Sequence, residues 1–369
     1  MVRTFAEITG PQIVSGNYAK IMVYTLTQFV MNFSVPIMLT SNDFAKIIKQ
    51  YPYDKKFIVG VSGGADSMAL VLLFNEFLID TFGTSENMTA ITIDHRLRQG
   101  SEEEAKLVGW WLLQRGIKHE ILPWEHGEIT SRVEELGRIA RYDLMTNFCR
   151  QRGIEAIYTA HHAMDQIETF FMRLKRGAGL AGLCAIRPVT RYNNIAIIRP
   201  LLNVPPEDLK TLLASHFAQD YVHDPYNDNT AFERCNLRNN MQLLKNIGLQ
   251  NRSILATVEH LQRLEQQLQA AAQKILESNV QQVELHGGPV VLLERYVVSE
   301  HIPQVIKIVL SRILRDVAKV NTLCTQKLLD SLFDKMTSRD FKKTTARHCI
   351  IRGHGAFFEF FQEKRPPKY

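Results

Sequence analysis

Between residues 56 and 215 the chain alternates two patterns of apolar positions. Short runs at 57–61, 89–93, 119–122, 156–160 and 195–201 are rich in apolar and β-branched residues, the make-up and length of strands. Longer stretches between them, at 66–79, 101–115, 132–152 and 164–175, repeat their apolar residues at helical spacing. The runs at 57–61 and 89–93 carry no charge, as strands covered on both faces require. The alternation predicts an α/β fold: a parallel, doubly wound sheet with helices on both faces.

Beyond residue 205 the alternation stops. A helical pattern at 207–216 precedes an Asn- and Asp-rich stretch at 220–229 that reads as loop. Ile254, Val258, Leu261, Leu264, Leu268 and Ile275 then fall at three- and four-residue spacing, the apolar stripe of a long helix. Such a stripe is core or a bridge between domains, and no chemistry is assigned to it. From 280 onward strand-like and helical runs mix, and Gly353-His354-Gly355 between the apolar runs 349–351 and 356–361 signals a hairpin. The pattern divides the chain into an N-terminal extension (1–50), the α/β domain (51–240) and a helical linker with a smaller α+β domain (241–369).

Composition adds limits. With 369 residues, 45% of them hydrophobic, the chain is long enough for two cores. The net charge of +6 is a mild excess that favours a polyanionic partner without identifying one. Cys149, Cys184, Cys235, Cys324 and Cys349 are scattered with no Cys-x-x-Cys pair. A disulfide framework, structural zinc or an iron–sulfur cluster is therefore not expected, and a reducing cytoplasm is. Residues 21–40 approach the length of a membrane span, but Thr25, Thr27, Gln28, Asn32, Ser34 and Pro36 interrupt them. The expectation is a soluble cytoplasmic protein with no membrane partner, and Met31 or Met38 as alternative start positions.

The strongest chemical signal is Ser62-Gly63-Gly64-Ala65-Asp66-Ser67, set directly between a buried strand and a helix. Two glycines allow a tight turn that presents backbone N–H groups to an anion. The helix N-terminus adds positive potential, and Ser62 and Ser67 add hydroxyl donors. Asp66 beside a phosphate site is repulsive unless a divalent cation intervenes, which points to magnesium. No lysine follows the glycines, so this is not the Gly-x-x-x-x-Gly-Lys-Ser/Thr loop. A helix-capping turn is the plainer alternative.

Other residues gather where strands end. Asp94 and His95 close the second strand, at the carboxyl edge where open α/β sheets place ligands. Arg138 and Arg141 share a helical face and suit phosphate oxygens, although surface arginines are the default. His161 and His162 close another strand, with Asp165 and Glu168 in the helix that follows. The two acids either favour the helix dipole or bind a cationic substrate. Lys175, Arg176, Arg187, Arg191 and Arg199 form a basic series with glycines between, either a solvated loop or a phosphate-contacting one. Arg234 and Arg238 lie four apart and suit ATP or an RNA backbone.

The SGGADS loop resembles that of the N-type ATP pyrophosphatases, the PP-loop enzymes that cleave ATP between its α and β phosphates. Further ordered blocks resemble the tRNA(Ile)-lysidine synthetases within that group. They are Asp94-His95-Arg96-Leu97-Arg98, Arg138-Ile139-Ala140-Arg141-Tyr142, the run from Ala160 to Thr169, Lys175-Arg176-Gly177-Ala178-Gly179, Arg199-Pro200-Leu201, and Asp224-Pro225 leading to Arg234 and Arg238. The resemblance implies an ATP-dependent carbon–nitrogen ligase acting on isoleucine tRNA with a CAU anticodon. It implies adenylation of the wobble cytidine at its C2 oxygen and displacement of AMP by the ε-amine of free lysine.

On this resemblance ATP binds at Ser62, Gly63, Gly64, Ala65, Asp66 and Ser67, with magnesium on Asp66. Asp66, His161 and Arg141 are catalytic, and Asp165 and Glu168 hold lysine. Arg138, Lys175, Arg176, Arg234 and Arg238 meet RNA or phosphate. Residues 51–240 are the catalytic domain and 241–369 include a tRNA-binding domain; a homodimer is an allowed assembly. A tRNA thiolase, the nearest competitor, would show paired cysteines. Met164 stands where the family often has the first of two successive acids, and Asp165 at the second place is expected to preserve lysine recognition. Some relatives continue into another domain where this chain stops, so a shorter architecture is expected.

Overall fold

The computed structural model describes residues 39–223, 237, 240–241, 243–244, 246–285, 288–320, 322 and 324–363. The chain divides into two units, residues 1–39 and Thr40–Tyr369, and every element named here lies in the second.

The first half of that unit is built on strands β1 (Phe57–Gly60), β2 (Met88–Asp94), β3 (His119–Pro123), β4 (Ala156–Tyr158), β5 (Val189–Tyr192) and β6 (Ile195–Ile198). They form one sheet in the order β3-β2-β1-β4-β6-β5. All neighbouring pairs are parallel except β5 with β6. Edge strand β5 departs from the sequence expectation, which placed Val189–Tyr192 in a basic loop. Asn193 and Asn194 both take positive φ, and this two-residue turn folds β5 back along β6.

Helices α1 (Ser41–Ile48), α2 (Ala65–Phe82), α3 (Ser101–Leu113), α4 (Val133–Arg152) and α5 (Ala163–Lys175) precede or connect these strands. Helix α1 starts at a Thr40–Asp43 capping box and buries Phe44 and Ile48, so residues 41–48 pack with the sheet unit rather than trailing as extension. Phe44, Phe57, Phe74 and Tyr158 are fully buried, with ring centroids of successive pairs 4.7–5.1 Å apart. Each such aromatic pair adds about 0.5–1.5 kcal/mol beyond simple burial. The cluster welds α1, β1, α2 and β4 into a rigid floor.

Strand order reverses direction at β1. From β1 the chain steps outward to β2 and β3, then returns to place β4 on the other flank of β1. The crevice beyond the carboxyl ends of β1 and β4 is thus the topological switch point, where open α/β sheets place ligands.

After α6 (Leu180–Leu183) and α7 (Pro206–Leu212), one π-helical turn, Leu213–Phe217, leads to residues 218–223, which hold no regular element. Helix α8 (Asn251–Asn279) then joins two cores. Ile254 packs with Ile167 of α5 and Met241, whereas Ala272 and Ile275 pack with the C-terminal core. Midway, Glu265 is buried and paired with Arg187 at 2.8 Å.

The C-terminal part is a five-stranded antiparallel sheet. Its order is β7 (Val280–Leu285), β8 (Gly288–Glu294), β11 (Phe357–Gln362), β10 (Cys349–His354) and β9 (Lys343–Ala346). Helices α9 (Arg295–Glu300), α10 (Pro303–Ala318) and α11 (Gln326–Thr337) accompany it. The expected hairpin is present, with Phe357 paired to His354. Among the described residues no helix is long and apolar enough to cross a membrane.

Candidate functional site

The Ser62–Ser67 loop leaves β1 and enters α2 without a spare residue. Val61 N–H donates to Ile91 O (2.8 Å), which holds the end of β1 against β2. Gly63 then takes φ +87°, and a Cβ there would stand 2.7 Å from Val108 Cγ2. Both conformation and space therefore require glycine. The Gly63 carbonyl accepts from Val222 N–H (2.9 Å), so the strap at 218–223 crosses the loop. No local sequence signal could have announced that long-range contact.

Ser67 also has a structural part in the loop. Its hydroxyl donates to Gly64 O (2.9 Å), accepts Ser62 N–H (3.1 Å) and lies 3.3 Å from the Ser62 hydroxyl, so it braces the loop. Ser62 is exposed, and the first-turn N–H groups of α2 remain the loop's main donors. Asp66 lies in that first turn. Its Oδ1 is buried and has no hydrogen-bond partner, while its Oδ2 is 3.4 Å from His162 Nε2.

That contact bridges the crevice from β1 to β4. His162 caps α5: its Nδ1 accepts Met164 N–H (3.2 Å), and its own N–H donates to Asp165 Oδ2 (2.9 Å) in a capping box. Asp165 thus caps the start of α5, with its side chain only 13% exposed. Glu168, one turn on, is fully buried. Met164, like Phe170, Phe171 and Leu255, packs against the cluster of Ile167, Met241 and Ile254.

His161 faces a cationic wall. Its Nδ1 is 3.0 Å from the Thr159 hydroxyl. Burial holds it well below the usual imidazole range; Asp165 opposes the shift, and Arg199, Arg138 and Arg141 reinforce it. His161 is therefore neutral at physiological pH. Arg141 is exposed to solvent, and desolvation by the surrounding protein holds its guanidinium below the usual range. Arg138 is exposed, with its guanidinium 5.1 Å from the Tyr142 ring centroid.

Two expectations at the strand ends resolve. Asp94 is buried and accepts from Arg96 N–H (3.1 Å) and the Ser101 hydroxyl (2.7 Å), so it organises its own turn. His95 meets Trp124 edge-on, ring centroids 5.9 Å apart. Burial, followed by Arg141, pushes its pKa down to about 4, with His126 adding to the shift and Asp94 opposing it. An unfolded chain takes up this proton near pH 6.5 and the folded chain near pH 4, so stability falls as pH drops through that window. The loss from this group is roughly 3 kcal/mol at most, less what solvent screening removes. Urea unfolding at pH 7 and pH 4.5 is expected to show His95→Gln losing less stability than wild type; equal losses would remove His95 as the cause.

The basic series separates into distinct roles. Lys175 and Arg176 are exposed at the end of α5. Arg187 is tied to Glu265, and Arg191 donates to Asn194 O (2.9 Å) in the β5–β6 turn, so neither matches the phosphate-contacting loop weighed on sequence. Arg199 is buried: its Nη1 donates to Arg187 O and Thr190 Oγ1, both at 3.0 Å, and its Nε has no partner. Its burial near His161 is not legible from the basic series to which the sequence assigns it. Arg234, Arg238 and the Asp224-Pro225 block lie outside the described residues.

A groove of about 250 Å³ along α2, lined by Leu72, Glu76, Ile79, Arg115, His216 and Phe217, holds none of these groups. The chemistry-bearing residues converge instead at the switch point.

A PP-loop domain model matches residues 38–245. A tRNA(Ile)-lysidine synthase of Orientia tsutsugamushi (strain Boryong) is 35% identical over 269 residues, covering 70% of this chain and 58% of that protein. That of Zymomonas mobilis subsp. mobilis is 35% identical over 228 residues, covering 60% of this chain and 65% of that protein. The chain thus spans less than two thirds of the length of these relatives. A solved U34-tRNA thiolase of Methanococcus maripaludis is a distant likeness, with TM-score 0.49 and 18% identity over 60% of this chain and 78% of that one.

Proposed function

The chain belongs to the PP-loop family, and from that premise we propose that it is an ATP-dependent ligase that joins lysine to the wobble cytidine of an isoleucine tRNA with a CAU anticodon. The observation that carries the reading is the 3.4 Å contact of Asp66 with His162. It brings the phosphate loop against the N-cap of the helix that carries Asp165 and Glu168, so a nucleotide and a cationic amine can meet in one crevice. The 35% identity to two lysidine synthases supports the choice of substrate.

In the first step the C2 oxygen of cytidine attacks the α-phosphorus of ATP, a P–O bond forms, and pyrophosphate leaves. The N–H groups at the start of α2 hold the departing phosphates. Neutral His161 donates a hydrogen bond to an α-phosphate oxygen without needing a proton from solvent, and Arg141 neutralises charge growing there. In the second step the lysine ε-nitrogen attacks C2, the C2–O bond breaks, AMP leaves with that oxygen, and the amine sheds a proton. Asp165 and Glu168 orient the amine, and positioning supplies much of the rate. Arg138, Lys175 and Arg176 contact phosphate from exposed sites, as Arg234 and Arg238 would from outside the described residues, and residues 241–369 contribute to holding tRNA.

Magnesium fits Asp66, whose buried Oδ1 lacks any hydrogen-bond partner. Among the described residues no set of three or more His, Cys, Asp or Glu side chains could hold a metal ion, so phosphate oxygens would complete its coordination. When bound it would neutralise charge on the leaving pyrophosphate.

The test is pyrophosphate release from labelled ATP with the purified chain, unmodified isoleucine tRNA bearing CAU, magnesium and lysine. Methionine tRNA with the same anticodon is the control. Release with isoleucine tRNA alone, and lysine entering the RNA, is the expected result. Release without lysine incorporation would leave the loop chemistry standing and overturn the ligase reading.

A further inference from the structure

We infer that His162 is a positioning residue that orients Asp66 for the metal–triphosphate complex, with its ring bridging the two halves of the crevice. The inference rests on the proposed reading of Asp66 as a magnesium ligand and deepens it.

The argument begins with the tautomer. His162 Nδ1 accepts Met164 N–H at 3.2 Å, so in the neutral ring the proton sits on Nε2. Nε2 in turn is 3.4 Å from Asp66 Oδ2, and the imidazole is only 8% exposed, so little water competes for the contact. The backbone beneath the ring is itself held, because His162 N–H donates to Asp165 Oδ2 at 2.9 Å. One carboxylate oxygen of Asp66 is thereby steered by the ring while the other, Oδ1, is buried and has no hydrogen-bond partner. A ligating carboxylate held this way keeps one oxygen aimed at the cation. Loss of a partner that orients a metal-ligating group typically costs about 10–100-fold in metal affinity.

A helix cap is the competing account of the same residue, and two substitutions separate them. Asn at 162 supplies a short acceptor for the start of α5 and is among the best N-caps, but its amide ends near the position of Nδ1 and falls short of Asp66. Gln is a poorer cap, yet its amide N–H extends to about where Nε2 lies. Capping therefore predicts that Asn substitutes better; positioning of Asp66 predicts that Gln does.

The measurement is calorimetric binding of α,β-methylene-ATP to the full chain, with and without Mg²⁺, for wild type, His162→Asn and His162→Gln, with melting temperatures alongside. The affinity gained on adding Mg²⁺ is expected to shrink about 10–100-fold in His162→Asn and largely to return in His162→Gln, with metal-free binding alike in all three. A wild-type gain that persists in His162→Asn, or a Gln variant no better than Asn, overturns the positioning role alone. No gain in the wild type would remove the magnesium reading of Asp66, and this inference with it.

Discussion

Asp66→Asn lowers pyrophosphate release by about 10²–10³-fold or more, while the variant still folds. The magnitude follows from removing a group that acts on charge as it develops, for which losses of this size are usual. The amide keeps the shape of the carboxylate and its contact with His162, but it no longer carries the charge that would hold a divalent cation. The folding cost is small. Asp66 contributes in the first turn of α2, where loss of a carboxylate costs about 0.3–1 kcal/mol. Single-turnover release at saturating ATP and tRNA, compared with unfolding by circular dichroism, separates the two effects. A release rate within a fewfold of wild type would take Asp66 out of the chemistry.

Much of the fold was legible because its signals are local. The strand runs at 57–61 and 89–93 become β1 and β2 with shifts of one residue at their ends, and the helical stretches of the first half become α2 to α5. Edge strand β5 was missed because a Pro-preceded, Arg-bearing segment looks like loop; its real signal is the Asn193-Asn194 turn. At the site, the loop was legible because glycine, serine and a following helix occur together in sequence. The functions of Ser67, Arg187 and Arg199 were not, because each is decided by a partner. Ser67 bonds to Gly64, Arg187 finds Glu265 on a helix 78 residues away, and Arg199 is buried past the end of β6, where it donates to Arg187 O and Thr190 Oγ1 at the start of β5. Charge in a sequence tells what a side chain could bind; burial tells what it is already holding.

Asp165→Asn and Glu168→Gln are expected to strike the second half-reaction and spare the first. Glu168 is fully buried and Asp165 nearly so, so each carboxylate would meet an ammonium group with little water between them. Truncating one partner of such a pair costs about 2–5 kcal/mol, roughly 30-fold to several thousandfold in the lysine concentration needed for half-maximal rate. Both substitutions keep shape, and Asn at 165 still presents an oxygen to His162 N–H, so helix α5 should start where it does now. Pyrophosphate release is expected to stay near wild type in both, so adenylated RNA accumulates until lysine is raised. A quench assay that resolves adenylated from lysylated RNA over a lysine titration distinguishes the cases. Equal losses of adenylation and lysine transfer would mean that these acids support the crevice as a whole. A selective rise in the lysine requirement would mean that α5 presents the amine site and α2 the phosphate site, with His162 as the hinge of contact between them.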